Sequence, residues 1–251
     1  MNSVKPYFDH SPGREATCKA LLGEGVVVVW NDVEAAGRGL FYEWHDREHL
    51  PERLAIPGFL RGRRLRSSNH SPEWLTIYEA ATVGVLSSEA YMTRLNTPTP
   101  ATTEALTHFR NTSRAVCRVG KCLGVSTGGH VLALRFDLSD ADAAHHLQRY
   151  LCEEVVPAAM LRPNVLAASA LYSDQASFLD TAESKTRQFD VPAWVVLIEA
   201  STLEAATRAR DLIDEATLRR FGASMRADAS AYSLEISRLP SPFHSASGDS
   251  E

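Results

Sequence analysis

The stretch Phe41–Arg66, "FYEWHDREHLPERLAIPGFLRGRRLR", joins a helical pattern to a strand pattern through a proline and a glycine. The preceding residues, from Ala35, and the first part of the stretch have helical spacing as far as Leu54. Pro57 and Gly58 then end the helix. The last part alternates between two faces, as a strand does. The stretch therefore predicts a helix, a tight turn and a strand.

The turn region recurs once, at a fixed distance along the chain. Two prolines and a leucine repeat 106 positions later, in the pairs Pro51–Pro157, Pro57–Pro163 and Leu60–Leu166. Around both copies the patterns follow one order: strand, helix, strand, strand, helix, strand. This predicts two copies of a βαββαβ, or ferredoxin-like, unit. One unbroken α+β domain with coincidental prolines is the alternative.

The remaining elements follow from local patterns and set the proposed boundaries. Strands are predicted at 26–30, 59–68, 73–81, 114–120, 130–137, 166–173, 193–200 and 231–238, and helices at 35–54, 87–95, 139–161 and 202–221. We expect an N-terminal extension at 1–24 with a short helix around 16–22. The first repeat then covers 25–120, a Gly- and Ser-rich linker 121–128, the second repeat 129–238 and a disordered tail 239–251.

Composition limits the classes of partner. The chain has 251 residues, 44% of them hydrophobic, and a net charge of −5, so it can bury a core and has no global basic field for nucleic acid. The local cluster Arg61–Arg66 favours a solvated strand face or a contact to a substrate carboxylate over a polyanion site.

Cysteine spacing and apolar runs bear on the cellular location. The four cysteines form no C-x-x-C pair, which favours a reducing compartment and structural thiols over a disulfide framework or a structural zinc site. The longest apolar runs, such as "VVVVW" and "WVVLI", have strand length, and the first residues are polar. We therefore expect a soluble, cytoplasmic protein that does not interact with a membrane.

A ferredoxin-like unit has helices on one face of its sheet only, so its other face must be buried elsewhere. Two units within one chain can bury these faces by packing sheet on sheet. A small pocket is then expected between the sheet and the helices of each unit.

The run Trp44–Leu65 followed by "WLTIYEA" (Trp74–Ala80) resembles the dimeric α/β-barrel superfamily, in particular its EthD-like and uncharacterised small bacterial members. The resemblance covers Val26 to about Val119 and extends to the second repeat through architecture. It implies an α+β fold in which the tandem units form an intrachain barrel. Its members include cofactor-free monooxygenases, lactone isomerases, polyketide cyclases, decarboxylase-like enzymes and haem enzymes. In several of them a histidine of the first helix or nearby transfers the proton.

Two histidines of the first predicted helix are the main catalytic candidates. His45 and His49 are four residues apart and share a helical face, and Glu48 is adjacent to it. An imidazole titrates near neutral pH and can transfer a proton in an apolar pocket. The candidate substrate-binding residues are Trp44, Tyr78, Arg64, Arg66 and Trp74: the tyrosine could donate to an enolate oxygen and an arginine could hold a carboxylate or phenolate.

Two other interpretations of the same residues remain open: a zinc site and a solvated helix face. The letters H-x-x-E-H match a zinc motif, but zinc would need a further ligand from another helix, so no metal ligand is assigned. The charged residues could also be a solvated helix face. At the offset of 106, His45 meets Leu151 and His49 meets Val155, which predicts one site per chain, in the first repeat.

The sequence thus predicts a cofactor-independent enzyme that uses histidine for proton transfer on a small apolar oxygenated or aromatic substrate. Isomerase, lyase, cyclase and EthD-like monooxygenase reactions all fit this description. The alternatives are a small-molecule-binding or stress-related module without turnover, and a haem- or metal-dependent enzyme. The expected partner is a small-molecule substrate, and a homodimer is left open.

Overall fold

The computed structural model describes residues 20–139, 143–173, 191–226 and 229–241, and strands alternate with short helices along them. The strands are β1 Gly25–Val33, β2 Phe59–Arg66, β3 Trp74–Ala80, β4 Phe109–Gly124, β5 His130–Leu138, β6 Val165–Ser173, β7 Trp194–Ala200, β8 Ala223–Met225 and β9 Ser230–Arg238. The α-helices are α1 Arg38–Trp44, α2 Leu50–Leu54, α3 Glu89–Asn96, α4 Pro100–Thr107, α5 Ala143–Arg149, α6 Val156–Met160, α7 Leu203–Arg208 and α8 Glu215–Arg220. Short 3-10 turns cover Ala35–Gly37, Val83–Ser87 and Ala209–Leu212.

The strands form one closed antiparallel barrel made of two ferredoxin-like sheets. The first unit has the order β4-β1-β3-β2 and the second has β9-β5-β7-β6, the same order by position in each unit. The sheets join edge to edge through the pairs β2–β9 and β4–β6. The short strand β8 pairs with the last residues of β5, from Phe136 to Leu138. The predicted α+β fold is confirmed. The sheets not only face each other but are continuous at both edges, so the barrel has two seams.

The inner faces of the strands form the core of the barrel. It is built mainly from Val26, Val28, Trp30, Leu65, Leu75, Ile77, Ala115, Val131, Ala133, Leu171, Val195, Leu197 and Tyr232. Tyr78 instead packs with the helices of the first unit, as the alternating pattern of β3 predicts. The helices cover the outer faces, so central strands such as β3 and β7 are buried on both sides, whereas β9 and both ends of β4 are more exposed.

Charged side chains also lie inside the barrel, which corrects one expectation. Arg61 Nε donates to Glu79 Oε1 at 2.9 Å, and Arg63 Nη1 donates to Glu199 Oε1 at 3.0 Å, so strands of both units are tied together. The prediction of a solvated face for Arg61–Arg66 is wrong for Arg61, Arg63 and Arg64, which are all buried. Only Arg66 is exposed. Burial is tolerated because each buried guanidinium meets a carboxylate.

The first predicted helix has the expected extent but contains a wider turn. Residues His45–His49 form a π-turn, in which the amide of Leu50 donates to the carbonyl of His45. The second unit has the same turn at Tyr150–Val155. Both turns precede a proline at the start of the next helical segment. The π-turn therefore belongs to the unit's architecture and is not specific to the histidines.

Three helical predictions need correction or completion, and one helix was not predicted. Helix α4 was not predicted from the sequence; Thr99 caps it by accepting a hydrogen bond from the amide of Thr102. The predicted helix 202–221 is three pieces, because Ile213 and Asp214 are extended and Asp214 starts a new helix. Of the predicted helix 16–22, residues 20–22 form bends and the rest lies outside the described residues. The start of the helix predicted at 139–161 and the tail beyond 241 also lie outside them.

Strand β4 is longer than predicted. It continues through Lys121–Gly124 and pairs there with β6, across the segment proposed as a linker.

The cysteines differ in state. Cys117 is a free thiol inside the barrel, and burial raises its pKa to about 12. Cys122 is disulfide-bonded, which differs from the expectation of thiols alone. In the described part of the chain, every helix is too short or too polar to span a membrane.

Candidate active site

A cavity of about 70 Å³ lies in the first unit, between its helices and the outer face of its sheet. This is the position in which the ferredoxin-like unit predicts a pocket. The cavity is lined by Val27, Val29, Trp44, His49, Arg53, Tyr78, Tyr91, Leu95, Leu106, Phe109, Thr112 and Arg114. Three of the predicted site residues, Trp44, His49 and Tyr78, therefore border one space.

His49 contributes a neutral imidazole to the wall of the cavity. Its ring packs against Trp44, with ring centroids 4.3 Å apart. Its Nδ1 is buried and accepts or donates no hydrogen bond among the described residues. Burial is the largest cause that holds the pKa of His49 well below its ordinary value, followed by electrostatic interactions with Arg53 and with His45. A neutral imidazole with a lone pair beside a cavity can act as a base.

His45 is buried behind the cavity, and its neighbours define its tautomer. Arg64 Nη1 lies 3.1 Å from His45 Nδ1, and a guanidinium can only donate, so Nδ1 must be the acceptor. The proton of the neutral ring is then on Nε2, which lies 3.5 Å from the hydroxyl of Tyr78. Burial lowers the pKa of His45, Asp46 opposes this shift, and Arg64 adds to it. His45 can thus orient Tyr78 at the cavity wall.

Arg64 is held from several sides. Its Nη1 donates to Asp46 Oδ1 at 2.5 Å, and its guanidinium lies 4.5 Å from the ring centroid of Tyr42. The neighbouring His45, whose Nδ1 lies 3.9 Å from Asp46 Oδ1, and the guanidinium of Arg64 lower the pKa of Asp46 to about 2. Arg64 is 3% exposed and is not among the described residues that line the cavity, so the structure places it behind His45.

The structure places the other predicted residues away from the cavity. Glu48 accepts a hydrogen bond from the hydroxyl of Thr99, at the start of α4. Trp74 is fully buried, and Arg66 bonds to Glu73 with its Nε 2.7 Å from the carboxylate. None of the three lines the cavity.

Sequence reasoning missed several residues of the lining. Arg53 is four residues after His49, so helical spacing alone could have placed it on the same face. Arg114 comes from β4 and donates to the hydroxyl of Tyr91 at 2.9 Å. Neither Arg114 nor Phe109 has a local signal, because only the pairing of β4 with β1 brings them to the helices.

The matching region of the second unit carries no such chemistry. Leu151 and Val155, at the positions of His45 and His49, are buried in the hydrophobic core of that unit. The predicted asymmetry between the copies is therefore present in the packing: in one unit the imidazole of His49 borders a cavity and that of His45 lies behind it, and in the other unit aliphatic side chains fill the matching positions. Among the described residues, no three His, Cys, Asp or Glu side chains converge as a metal site would require.

No family model matches the chain, and no curated protein sequence matches it either. Solved structures do match. A putative monooxygenase from Fusobacterium nucleatum superposes with a TM-score of 0.52 at 8% identity, over 88% of this chain and 96% of that one. An anthrone oxidase-like protein gives 0.57 at 13% identity, over 86% and 92%. A chlorite dismutase variant from Candidatus Nitrospira defluvii gives 0.50 at 11% identity, over 85% and 92%. The chain shares the barrel fold of these proteins.

Proposed function

We propose that the chain is a cofactor-independent enzyme that moves a proton on a small oxygenated or aromatic substrate in the cavity of the first unit. The observation that carries the proposal is His49: its Nδ1 is buried, has no partner among the described residues, and belongs to a ring that borders the cavity. Its counterpart in the second unit is an aliphatic core residue. A buried polar atom without a partner is costly, so a ligand is a good reason for it.

In this mechanism His49 is the general base. Its lowered pKa keeps the ring neutral at neutral pH, so it can take a proton from an acidic carbon or hydroxyl of the substrate. Tyr78 is the hydrogen-bond donor to the oxygen on which negative charge develops. His45 is the positioning residue, because its Nε2–H is directed at the hydroxyl of Tyr78.

The lining narrows the substrate class. Arg53 and Arg114 border the cavity, and none of the lining residues that the structure describes carries a carboxylate, which favours a substrate that develops or carries negative charge on oxygen. The volume of about 70 Å³ is small next to the engineered cavity of about 150 Å³ that holds benzene. An aromatic substrate must therefore displace lining side chains as it enters.

The test measures proton exchange, so it does not require the product to be known. Purified protein is incubated in D₂O with a panel of small phenols, ketones and lactones, and NMR follows deuterium incorporation at the acidic carbon. We expect catalysed exchange for at least one compound and a loss of about 10²–10⁴-fold in His49→Ala. Tyr78→Phe should reduce the rate and leave the fold intact.

The matched control is His145→Ala, because His145 is an exposed histidine on α5 of the second unit. Its exchange rate should equal that of the wild type. Unchanged exchange in a His45→Ala, His49→Ala double variant would overturn the mechanism. Compounds that bind without exchange, in wild type and variants alike, would indicate the binding module instead.

Oxygen insertion is the second candidate reaction. Two proteins with this fold carry names that refer to a monooxygenase and an anthrone oxidase, so an oxygen electrode belongs in the same screen. Deprotonation by His49 would be the first step in this case too, and His49→Ala should therefore abolish both oxygen uptake and exchange.

A haem enzyme is the remaining alternative, and the described residues fit it poorly. In the second half, His145 and His146 are exposed on α5, and His130 Nδ1 lies 3.0 Å from the hydroxyl of Ser233. The space between helices and sheet in that unit is filled by apolar side chains. An absorption spectrum of the purified protein would show a haem directly.

A further inference from the structure

The second unit reaches into the site of the first through one carboxylate. Glu235, on β9, accepts a hydrogen bond from Arg64 Nε at 2.8 Å. Its other oxygen accepts from the hydroxyl of Tyr42 at 2.8 Å. On the other side of the guanidinium, Asp46 binds Arg64 from the π-turn of the first unit. A single buried arginine therefore joins the two units directly behind His45.

Glu235 reaches Arg64 because of an irregularity in the seam between β2 and β9. Arg64 pairs with Ile236 and Leu65 with Leu234, so Glu235 is the extra residue of a β-bulge. A bulge redirects a side chain that regular pairing would send to the other face.

The second seam of the barrel has the same bulge without this chemistry. There Lys121 pairs with Ala170 and Val119 with Leu171, so Gly120 is the extra residue of β4. By the offset of 106, Ala170 matches Arg64 and Leu171 matches Leu65. Arginine, glutamate and histidine at the first seam thus correspond to alanine, glycine and leucine at the second. The backbone does not need the ionic group, which argues for a role at the site.

We propose that Glu235 is a positioning residue of the candidate active site. It holds the guanidinium of Arg64 so that Nη1 donates to Nδ1 of His45, which keeps the proton of His45 on Nε2 and directed at Tyr78. The second unit, which has no histidine at this position itself, would then complete the site of the first. The importance of this arrangement for turnover rests on the proposed function, but the arrangement itself can be tested without a substrate.

The experiment reads the tautomer of His45 by long-range ¹H–¹⁵N NMR of the imidazole rings, with His45→Ala used to assign the signals. In the wild type we expect the Nε2–H form. In Glu235→Gln we expect the ratio of Nδ1–H to Nε2–H to rise about tenfold or more, because a charge-assisted hydrogen bond is lost. Arg64→Met should give the same change or a larger one, and Glu235→Asp should restore part of the wild-type ratio.

The matched control is Asp137→Asn, which breaks another carboxylate–arginine pair, to Arg226 Nη2 at 2.6 Å, elsewhere in the second unit. It should leave the His45 signals unchanged. A wild-type tautomer in Glu235→Gln, with a change in Arg64→Met, would overturn the role of Glu235. A wild type without a defined Nε2–H form would overturn the proposal entirely. A clear tautomer change in a protein that catalyses no exchange would support the positioning and reject the proposed function.

Discussion

At the scale of residues, the site depends on imidazoles that are kept neutral by burial. His45 is 3% exposed and hydrogen-bonded, and His49 has a buried Nδ1 that has no partner among the described residues. Burial is the largest cause of the lowered pKa of both rings. From the sequence, a histidine on this helix could be either a buried catalytic residue or part of a solvated helix face. Only the residues packed around the two rings distinguish these interpretations.

The lowered pKa values predict how stability depends on pH. The unfolded chain binds protons on both histidines near the ordinary value of 6.5, and the folded chain does so only at lower pH. The contribution of the two histidines to stability should therefore be complete above about pH 6.5. The free energy of unfolding should fall as the pH drops through that value. Urea unfolding between pH 5 and 8 measures this slope.

The variant His45→Leu, His49→Val copies the second unit, where Leu151 and Val155 fill the core. We expect a flatter pH profile and a stability gain of about 1–2 kcal/mol at pH 7, because a buried polar atom without a partner is removed. His145→Ala, on the surface, should keep the wild-type slope. An unchanged slope in the double variant would show that the two rings are not the cause.

At the scale of elements, the two units share their backbone irregularities more than their side chains. Each has a π-turn before a proline, a residue with positive φ after the second helical segment, and a bulge at the start of the next strand. The positive φ belongs to Gly58 in one unit and to Asn164 in the other, 106 positions apart. Glycine and asparagine are the residues that adopt this conformation at least cost.

This turn supplies a prediction at Asn164, where φ is 66° and the side chain is exposed. Asn164→Val should destabilise the protein by about 1–2 kcal/mol, because a β-branched residue is strained in the left-handed region. Asn164→Gly should be neutral or slightly stabilising. Thermal unfolding of both variants measures the difference, and equal melting temperatures would contradict it.

At the scale of the whole molecule, the ion pairs inside the barrel join its halves. Glu79 and Glu199 occupy matching places in β3 and β7, each before an alanine and five residues after a tryptophan. Arg63 lies between them: its Nη1 donates to Glu199, and its Nη2 is 3.2 Å from Glu79. Buried charges of this kind make the two units depend on each other for folding.

A substitution that breaks this network should therefore lower the stability of both units together. Glu199→Leu removes the carboxylate that accepts hydrogen bonds from Arg63 and from the amide of Gly128, and should cost about 3–5 kcal/mol in one cooperative urea transition. Arg63→Met with Glu199→Leu should cost less than the sum of the single changes, since neither charge is then left alone. Glu204→Gln, on an exposed helical pair, should cost less than about 0.5 kcal/mol. Two separate transitions would contradict the coupling.

The sequence by itself determined the repeated βαββαβ order, the alternation of the strand residues between two faces, and the helix that carries His45 and His49. They follow from the hydrophobic periodicity of each element, from the prolines and glycines that end elements, and from the offset of 106 residues between the two copies. Each of these signals is local or comes from a comparison of the sequence with itself. It also placed Trp44, His49 and Tyr78 near one pocket, because a helix must pack on the next strands of its own unit.

Only the tertiary structure decided which charges are buried and which residues meet across the seams. The pattern of Arg61–Arg66 predicts a solvated strand face. In the structure, three of these arginines form ion pairs with carboxylates of other strands and of the π-turn. Glu235 is 171 positions from Arg64, and no local pattern links them. Spacing along the chain reports the period of one element, whereas the pairing of charges depends on how separate elements close into a barrel.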